Sequence, residues 1–212
     1  MKLHSLCHYR SKSDDWTDDW KNADYAARNV VKAVKQSSFN GHSVIKSDNR
    51  NFHISDTAAG RAAALEACAL TLAKRIEEAG YEHAAVIPVP ASDHVNPDAI
   101  FTGLRLAQAI ESINSNLSCR PALYFNEVLV KAALGGTRNY MEIKHHLRWN
   151  GPGIGSLKIV LLDDVCTTGG HLRAAKHFLS DRGHEVEDAF VIARTAWKRP
   201  DKMFKVPVEQ LC

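Results

Sequence analysis

The chain has 212 residues, 45% hydrophobic and 24% charged, with a formal net charge of +3 and a pI near 8.6. That length suits one or two domains, and the apolar mass is enough for a sizeable core, which excludes a mainly disordered chain. The 12 glycines and 7 prolines exclude a collagen-like or proline-rich linker protein, and so modest a charge, without a single basic block, argues against a nucleic-acid partner and suits a small anionic ligand.

The first ten residues, Met1 to Arg10, contain no apolar stretch of signal-peptide length. A helix is expected next, opening on the aspartates Asp14, Asp15, Asp18 and Asp19. Trp16, Trp20, Ala23, Ala27, Val30 and Val34 form its apolar face, and Lys32 and Lys35 sit in its last turn, as the helix dipole favours. Val44–Ile45 and Phe52–Ile54 read as short strands joined by a turn at Asp48-Asn49-Arg50. A long helix from Thr57 to Ala79 follows, stopped by Gly80. Ala84 to Val89 reads as a buried strand closed by Pro88-Val89-Pro90. Asn96-Pro97 is expected to open a helix striped by Ile100, Leu104, Ala107 and Ile110. Ala122 to Val130 is rich in strand formers, and a short helix is expected from Thr137 to Trp149. Lys158 to Leu162 is a continuous apolar strand ending in Asp163-Asp164. A Gly/Thr turn, a helix from Leu172 to Arg182 and a strand from Val186 to Ala193 complete the chain.

Strands alternating with helices predict an α/β protein with a parallel, Rossmann-like sheet covered by helices on both faces. Residues 1–60 are expected to form a small N-terminal subdomain, a hood or edge piece, and residues 61–212 the core. The longest apolar-rich run, Ala62 to Ala73, is broken by Glu66 and is too short to span a bilayer. The five cysteines, Cys7, Cys68, Cys119, Cys166 and Cys212, are scattered without a C-x-x-C pair. They read as reduced thiols rather than as a disulfide or zinc framework. The expectation is a soluble, cytoplasmic protein with no membrane partner.

The chemistry concentrates between Leu161 and His171. Ligands of an open parallel sheet bind at the carboxyl ends of its strands. Two carboxylates placed there, Asp163 and Asp164, are costly unless a ligand needs them; sugar hydroxyls and hydrated Mg²⁺ are suitable partners. Cys166-Thr167-Thr168-Gly169-Gly170-His171 then precedes a helix. Glycines that free backbone N–H groups, threonine hydroxyls and a helix start together make a phosphate cradle. Acids for a diol beside a cradle for a phosphate describe a sugar phosphate. A Gly169→Val change is expected to abolish phosphate binding by clashing where the backbone meets the ligand.

The run Leu161-Leu162-Asp163-Asp164-Val165-Cys166-Thr167-Thr168-Gly169-Gly170-His171 resembles the PRPP-binding signature of type I phosphoribosyltransferases. Its Asp-Asp-Val-x-Thr-Thr-Gly form is most similar to the ComF-like branch, as are Val86-Ile87-Pro88-Val89-Pro90 and the strand Val191 to Thr195. The resemblance implies 5-phosphoribosyl-1-pyrophosphate (PRPP) as substrate, with Mg²⁺ carried by substrate and water rather than by direct protein ligands. Asp163 and Asp164 would be the catalytic acids on the ribose hydroxyls. Val165, Cys166, Thr167, Thr168, Gly169, Gly170 and His171 would complete the PRPP site. The turn Ala91-Ser92-Asp93, with Lys131 and Arg138, would meet pyrophosphate; Lys144 and Arg148 are further candidates. The chain departs from the pattern at His171, where Thr or Ser is usual, which adds pH dependence. Thr167 stands where purine-salvage members carry an acid, which argues against hypoxanthine or guanine. The acceptor, a nitrogenous base or another nucleophile, is unassigned, and association as a homodimer is compatible with this reading. The rival expectations are a non-catalytic sensor of PRPP or a nucleotide and, more weakly, a receiver-like domain holding Mg²⁺ for aspartyl phosphorylation.

Overall fold

The computed structural model describes residues 1–10, 19–130, 135–151 and 153–211. In chain order the elements are β1 (Lys2–Arg10), α1 (Asn22–Val34), β2 (His42–Ser47), β3 (Arg50–Ser55), α2 (Ala58–Glu78) and β4 (Ala84–Pro88). They continue with α3 (Thr102–Ile113), β5 (Leu117–Cys119), β6 (Leu123–Phe125), α4 (Tyr140–His146), β7 (Leu147–Trp149), β8 (Lys158–Cys166), α5 (Gly170–Ser180), β9 (Val186–Ala196) and β10 (Glu209–Gln210).

Six strands form the main sheet in the order β10-β1-β9-β8-β4-β5. Neighbours run parallel except β10, which is antiparallel to β1. The fold is therefore α/β with a mostly parallel sheet. Period-two alternation divides the apolar side chains of its strands between two cores. Val86, Val160, Leu162, Phe190 and Ile192 pack with Val30, Val34, Leu72, Ile76 and Leu106 of α1, α2 and α3. Ala85, Ile87, Ile159, Leu161, Ala189 and Val191 pack with Leu172, Ala175, Phe178 and Leu179 of α5. Each large side chain so buried contributes about 1.5–3 kcal/mol, which is why both faces of these strands are apolar. Among the described residues no helix is long and apolar enough to cross a membrane.

Several local signals act as their chemistry dictates. The Thr57 hydroxyl caps α2 by accepting from the Gly60 amide at 3.1 Å, and Gly80 beyond its end has φ +93°. Asp48 and Asn49 both lie at positive φ, 47° and 59°, the geometry that joins two twisted strands in a two-residue hairpin.

Other expectations are corrected. Helix α1 begins at Asn22, so Trp20 and Asp19 precede it, while Asp14, Asp15, Trp16 and Asp18 lie outside the described residues. The acid of its first turn is Asp24, which is buried and paired with Arg199. Asn96-Pro97 opens no helix: the Asn96 side chain accepts from the Asp98 amide at 3.0 Å, a local turn that competes with helix. Helix α3 starts at Thr102, leaving Ile100 73% exposed. Of Ala122 to Val130 only β6 is strand, paired with β7, and Val128 and Val130 are exposed.

Strand β1 carries no clear strand signal in the sequence, because His4, Ser5 and His8 interrupt its apolar pattern. The protein satisfies one of them inside the sheet. His4 Nε2 lies 2.6 Å from Asp188 Oδ1, and the Tyr81 hydroxyl donates to Asp188 Oδ2 at 2.6 Å. Of residues 1–60, then, β1 belongs to the main sheet, while α1 and the β2–β3 hairpin pack beside α2.

The connections place the crevice. β4 leads through α3 to β5 in one direction, and β8 leads through α5 to β9 in the other. They diverge at the β4/β8 boundary, the topological switch point where open α/β sheets leave room for a ligand.

Candidate functional site

The carboxyl end of β8 carries both acids. The alternation that sends Leu161 and Leu162 to opposite faces carries Asp163 toward the α5 side and Asp164 toward the α1 side. Each carboxylate accepts a main-chain N–H. Asp163 Oδ1 takes the Asp164 amide at 2.8 Å, and Asp164 Oδ1 takes the Val165 amide at 2.6 Å. Asp164 Oδ2 lies 2.6 Å from the Nζ of Lys35, the residue that closes α1. Burial, and then the neighbouring Asp164 charge, hold the Asp163 carboxyl well above the usual carboxylate range, against the opposing Asp164 amide and Lys35. For Lys35 burial works against the charge, but Asp164 more than offsets it, so the ammonium is held more tightly than usual.

The turn after β8 exposes its backbone. Gly169 has φ +79° and caps α5 without a side chain. The amides of Thr168 and Gly169 donate to no backbone carbonyl among the described residues, and the first turn of α5 adds its unpaired N–H groups. The turn is fastened from below by β9 and β10. Arg194 donates to the carbonyls of Cys166, at 3.3 Å, and Thr167, and pairs through Nε with Glu209 at 2.9 Å. The Thr167 and Thr195 hydroxyls lie 3.1 Å apart. Cys166 is buried, and burial pushes its thiol up to about 12; it packs, and its thiolate is too scarce to react.

Two adjoining clefts meet here. The first, of about 160 Å³, is lined by Asp163, Val165 and the whole turn Cys166 to His171, with Ser92, Thr137, Arg138, Ile143 and Leu172. The second, of about 210 Å³, is lined by Lys35, Val89 to Ser92, Phe101 to Gly103, Asp163, Asp164, Val165 and His171. Ser92, Asp163, Val165 and His171 therefore border both. The β4 turn is held in place by the Val89 amide on the Leu162 carbonyl and the Leu129 amide on the Ser92 carbonyl, each at 2.8 Å. The His171 ring leans on Phe125, centroids 5.7 Å apart, and burial lowers its pKa despite nearby Asp164.

The structure thus brings Asp163, Asp164, Val165, Cys166, Thr167, Thr168, Gly169, Gly170, His171, Ala91, Ser92 and Arg138 to one crevice. Asp93 is exposed and lines neither cleft. Lys144 pairs with Asp181 at 2.5 Å, and Arg148 donates to the carbonyls of His145 and Leu147; both are turned to other work. Lys131 lies outside the described residues. Sequence reasoning did not assign a site role to Lys35, Arg194, Thr195 or Glu209. Lys35 read only as a cation at a helix end, and Arg194 and Thr195 only as part of a strand; tertiary pairing is what brings them to the site. Among the described residues no group of three or more His, Cys, Asp or Glu is arranged to hold a metal ion.

No family model matches the chain, and no curated protein matches its sequence. Solved structures align with part of it. A purine phosphoribosyltransferase from Pyrococcus horikoshii is 18% identical over 66% of this chain and 90% of its own, with a TM-score of 0.37. An orotate phosphoribosyltransferase from Aeropyrum pernix is 19% identical over 78% and 81%, with a TM-score of 0.41. An adenine phosphoribosyltransferase from Rhodothermus marinus is 13% identical over 81% and 99%, also with a TM-score of 0.41.

Proposed function

We propose that the protein is a phosphoribosyltransferase that uses PRPP and passes its phosphoribosyl group to a nitrogenous base or another nucleophile. The observation that carries this reading is the junction of the two clefts. The Thr167 to His171 turn opens on one side of Asp163, and the Val89 to Ser92 turn, with Lys35 beside it, opens on the other. A ligand with a phosphate at one end, a diol in the middle and a second anion at the far end fits that order. The Asp-Asp-Val-Cys-Thr-Thr-Gly run supports a place near the ComF-like branch.

In this reading the 5-phosphate lies on Thr167 to His171, and Asp163 and Asp164 face the ribose hydroxyls. Asp163, with its carboxyl held toward the neutral form, both donates to and accepts from a hydroxyl. The pyrophosphate lies along Ala91-Ser92. The bond from the anomeric carbon to the pyrophosphate oxygen breaks with both electrons going to that oxygen. The acceptor's lone pair forms the new bond, and its proton passes to solvent. Positive charge on the sugar ring in the transition state resembles that of glycoside cleavage. The residues supply positioning and charge rather than covalent chemistry. Mg²⁺ bound with PRPP would neutralise the leaving group, and Asp163 and Ser92, which border both clefts, would meet its waters.

The test is release of pyrophosphate from PRPP and Mg²⁺ with a panel of purine, pyrimidine and amine acceptors. Turnover with one acceptor supports the reading. Tight PRPP binding without release across the panel favours a sensor, and no binding of PRPP refutes both.

A further inference from the structure

Lys35 belongs to the N-terminal helix, 129 residues away in sequence from the carboxylate it touches. Its position is fixed from several sides. The Lys35 amide closes α1 on the Val31 carbonyl at 3.0 Å, Arg105 donates to the Val34 carbonyl at 2.9 Å, and Arg61 to the Gln36 carbonyl at 3.1 Å. The side chain is 41% exposed and lines the second cleft.

Both oxygens of Asp164 are engaged, Oδ1 by the Val165 amide and Oδ2 by Lys35. A ribose hydroxyl that takes Oδ2 competes with the ammonium. Lys35 shares the second cleft with Ala91, Ser92, Thr102 and Gly103. Those last two open α3, whose N-cap Phe101 supplies no side-chain acceptor. An anion in that cleft would give a displaced ammonium a new partner of higher charge within the same space, so the exchange would not strand a cation. Of the cations expected for this task, Lys144 and Arg148 are turned elsewhere, Arg138 lines the first cleft and not the second, and Lys131 lies outside the described residues.

We infer that Lys35 is a cationic ligand of the leaving pyrophosphate, kept on Asp164 until the ribose hydroxyls take that carboxylate. The inference rests on the PRPP reading above. Its consequence is a coupling: filling the diol site releases the charge that the leaving group needs.

The test is calorimetric titration of the full chain, Lys35→Met and Lys35→Arg with PRPP and with ribose 5-phosphate, each with Mg²⁺, after thermal melts confirm that the variants fold. Lys35→Met is expected to weaken PRPP about tenfold or more. It should leave ribose 5-phosphate within about twofold, or tighten it, because the competing ammonium is gone. Lys35→Arg should keep most of the preference for PRPP. Equal losses for both ligands would mean that Lys35 only balances the charge of Asp164, and no loss for either would remove it from the site; each overturns the inference. A wild-type chain that binds ribose 5-phosphate and PRPP equally also overturns it while leaving the sugar-phosphate site intact. Failure of the wild type to bind either would refute the underlying PRPP reading itself.

Discussion

Arg194 donates to the main-chain carbonyl of Thr167, so the turn that follows β8 is held by a side chain of the neighbouring strand rather than by its own backbone. Parallel pairing makes this possible, since Cys166 and Arg194 are register partners. Removing the guanidinium leaves two carbonyls and Glu209 without their donor. Arg194→Ala is expected to cost about 1–3 kcal/mol of stability and to weaken ribose 5-phosphate at least about tenfold. Urea unfolding and calorimetry check the two effects. Unchanged affinity would mean that the turn does not need this brace.

Gly169 was expected to be intolerant of a side chain because of the ligand. The structure adds a reason that needs no ligand. Its φ of +79° is unfavourable for any residue with a Cβ, and a Cβ there would meet the Leu211 side chain at 3.1 Å. Gly169→Ala is therefore expected to cost about 1–2 kcal/mol without ligand present. Combining it with Leu211→Ala should recover only the steric part. Full recovery in that double variant would show that the backbone is under no strain.

Asp163 sets a pH dependence of stability. Its folded-state pKa is raised, chiefly by burial, so the folded chain holds this proton more tightly than the unfolded one. The stability it contributes is complete below the unfolded pKa, near 4. It is lost as pH rises through the higher folded value. Asp163→Asn, which keeps the acceptor for the Asp164 amide, should be more stable than wild type at pH 8 by at least about 1 kcal/mol and nearly level with it at pH 4. Parallel denaturation curves at both pH values with a constant gap would contradict the shift.

His171 makes ligand affinity depend on pH. Burial lowers its pKa, so the free protein carries a neutral imidazole near neutrality. A phosphate dianion favours the protonated ring. Ribose 5-phosphate should therefore bind more tightly at pH 6.5 than at pH 8, by about threefold or more, with proton uptake visible in buffers of different ionisation enthalpy. His171→Thr should flatten this profile. An unchanged profile in the variant would place the proton elsewhere, on Asp163 or on the phosphate.

Much of the sheet was legible because its strands are buried on both faces and read as unbroken apolar runs, Ala84 to Val89 and Lys158 to Leu162 above all. The site turn was legible because its acids, threonines and glycines are contiguous. What remained hidden depends on distant partners. β1 is polar at His4 because Asp188 and Tyr81 satisfy it. The two-residue β10 exists only by pairing with β1. Asn96-Pro97 carries helix-start chemistry, yet the Asn96 side chain uses it for a turn. Lys35 looked like an ordinary cation at a helix end, and no spacing ties it to Asp164.

Every role proposed for these residues requires that the end of β8 and the turn after it hold a ribose phosphate. A crystal structure with ribose 5-phosphate tests it most directly. The phosphate is expected within hydrogen-bond distance of the Thr168 and Gly169 amides, and the ribose hydroxyls on Asp163 and Asp164. A phosphate bound elsewhere, or an empty turn at saturating ligand, would contradict it.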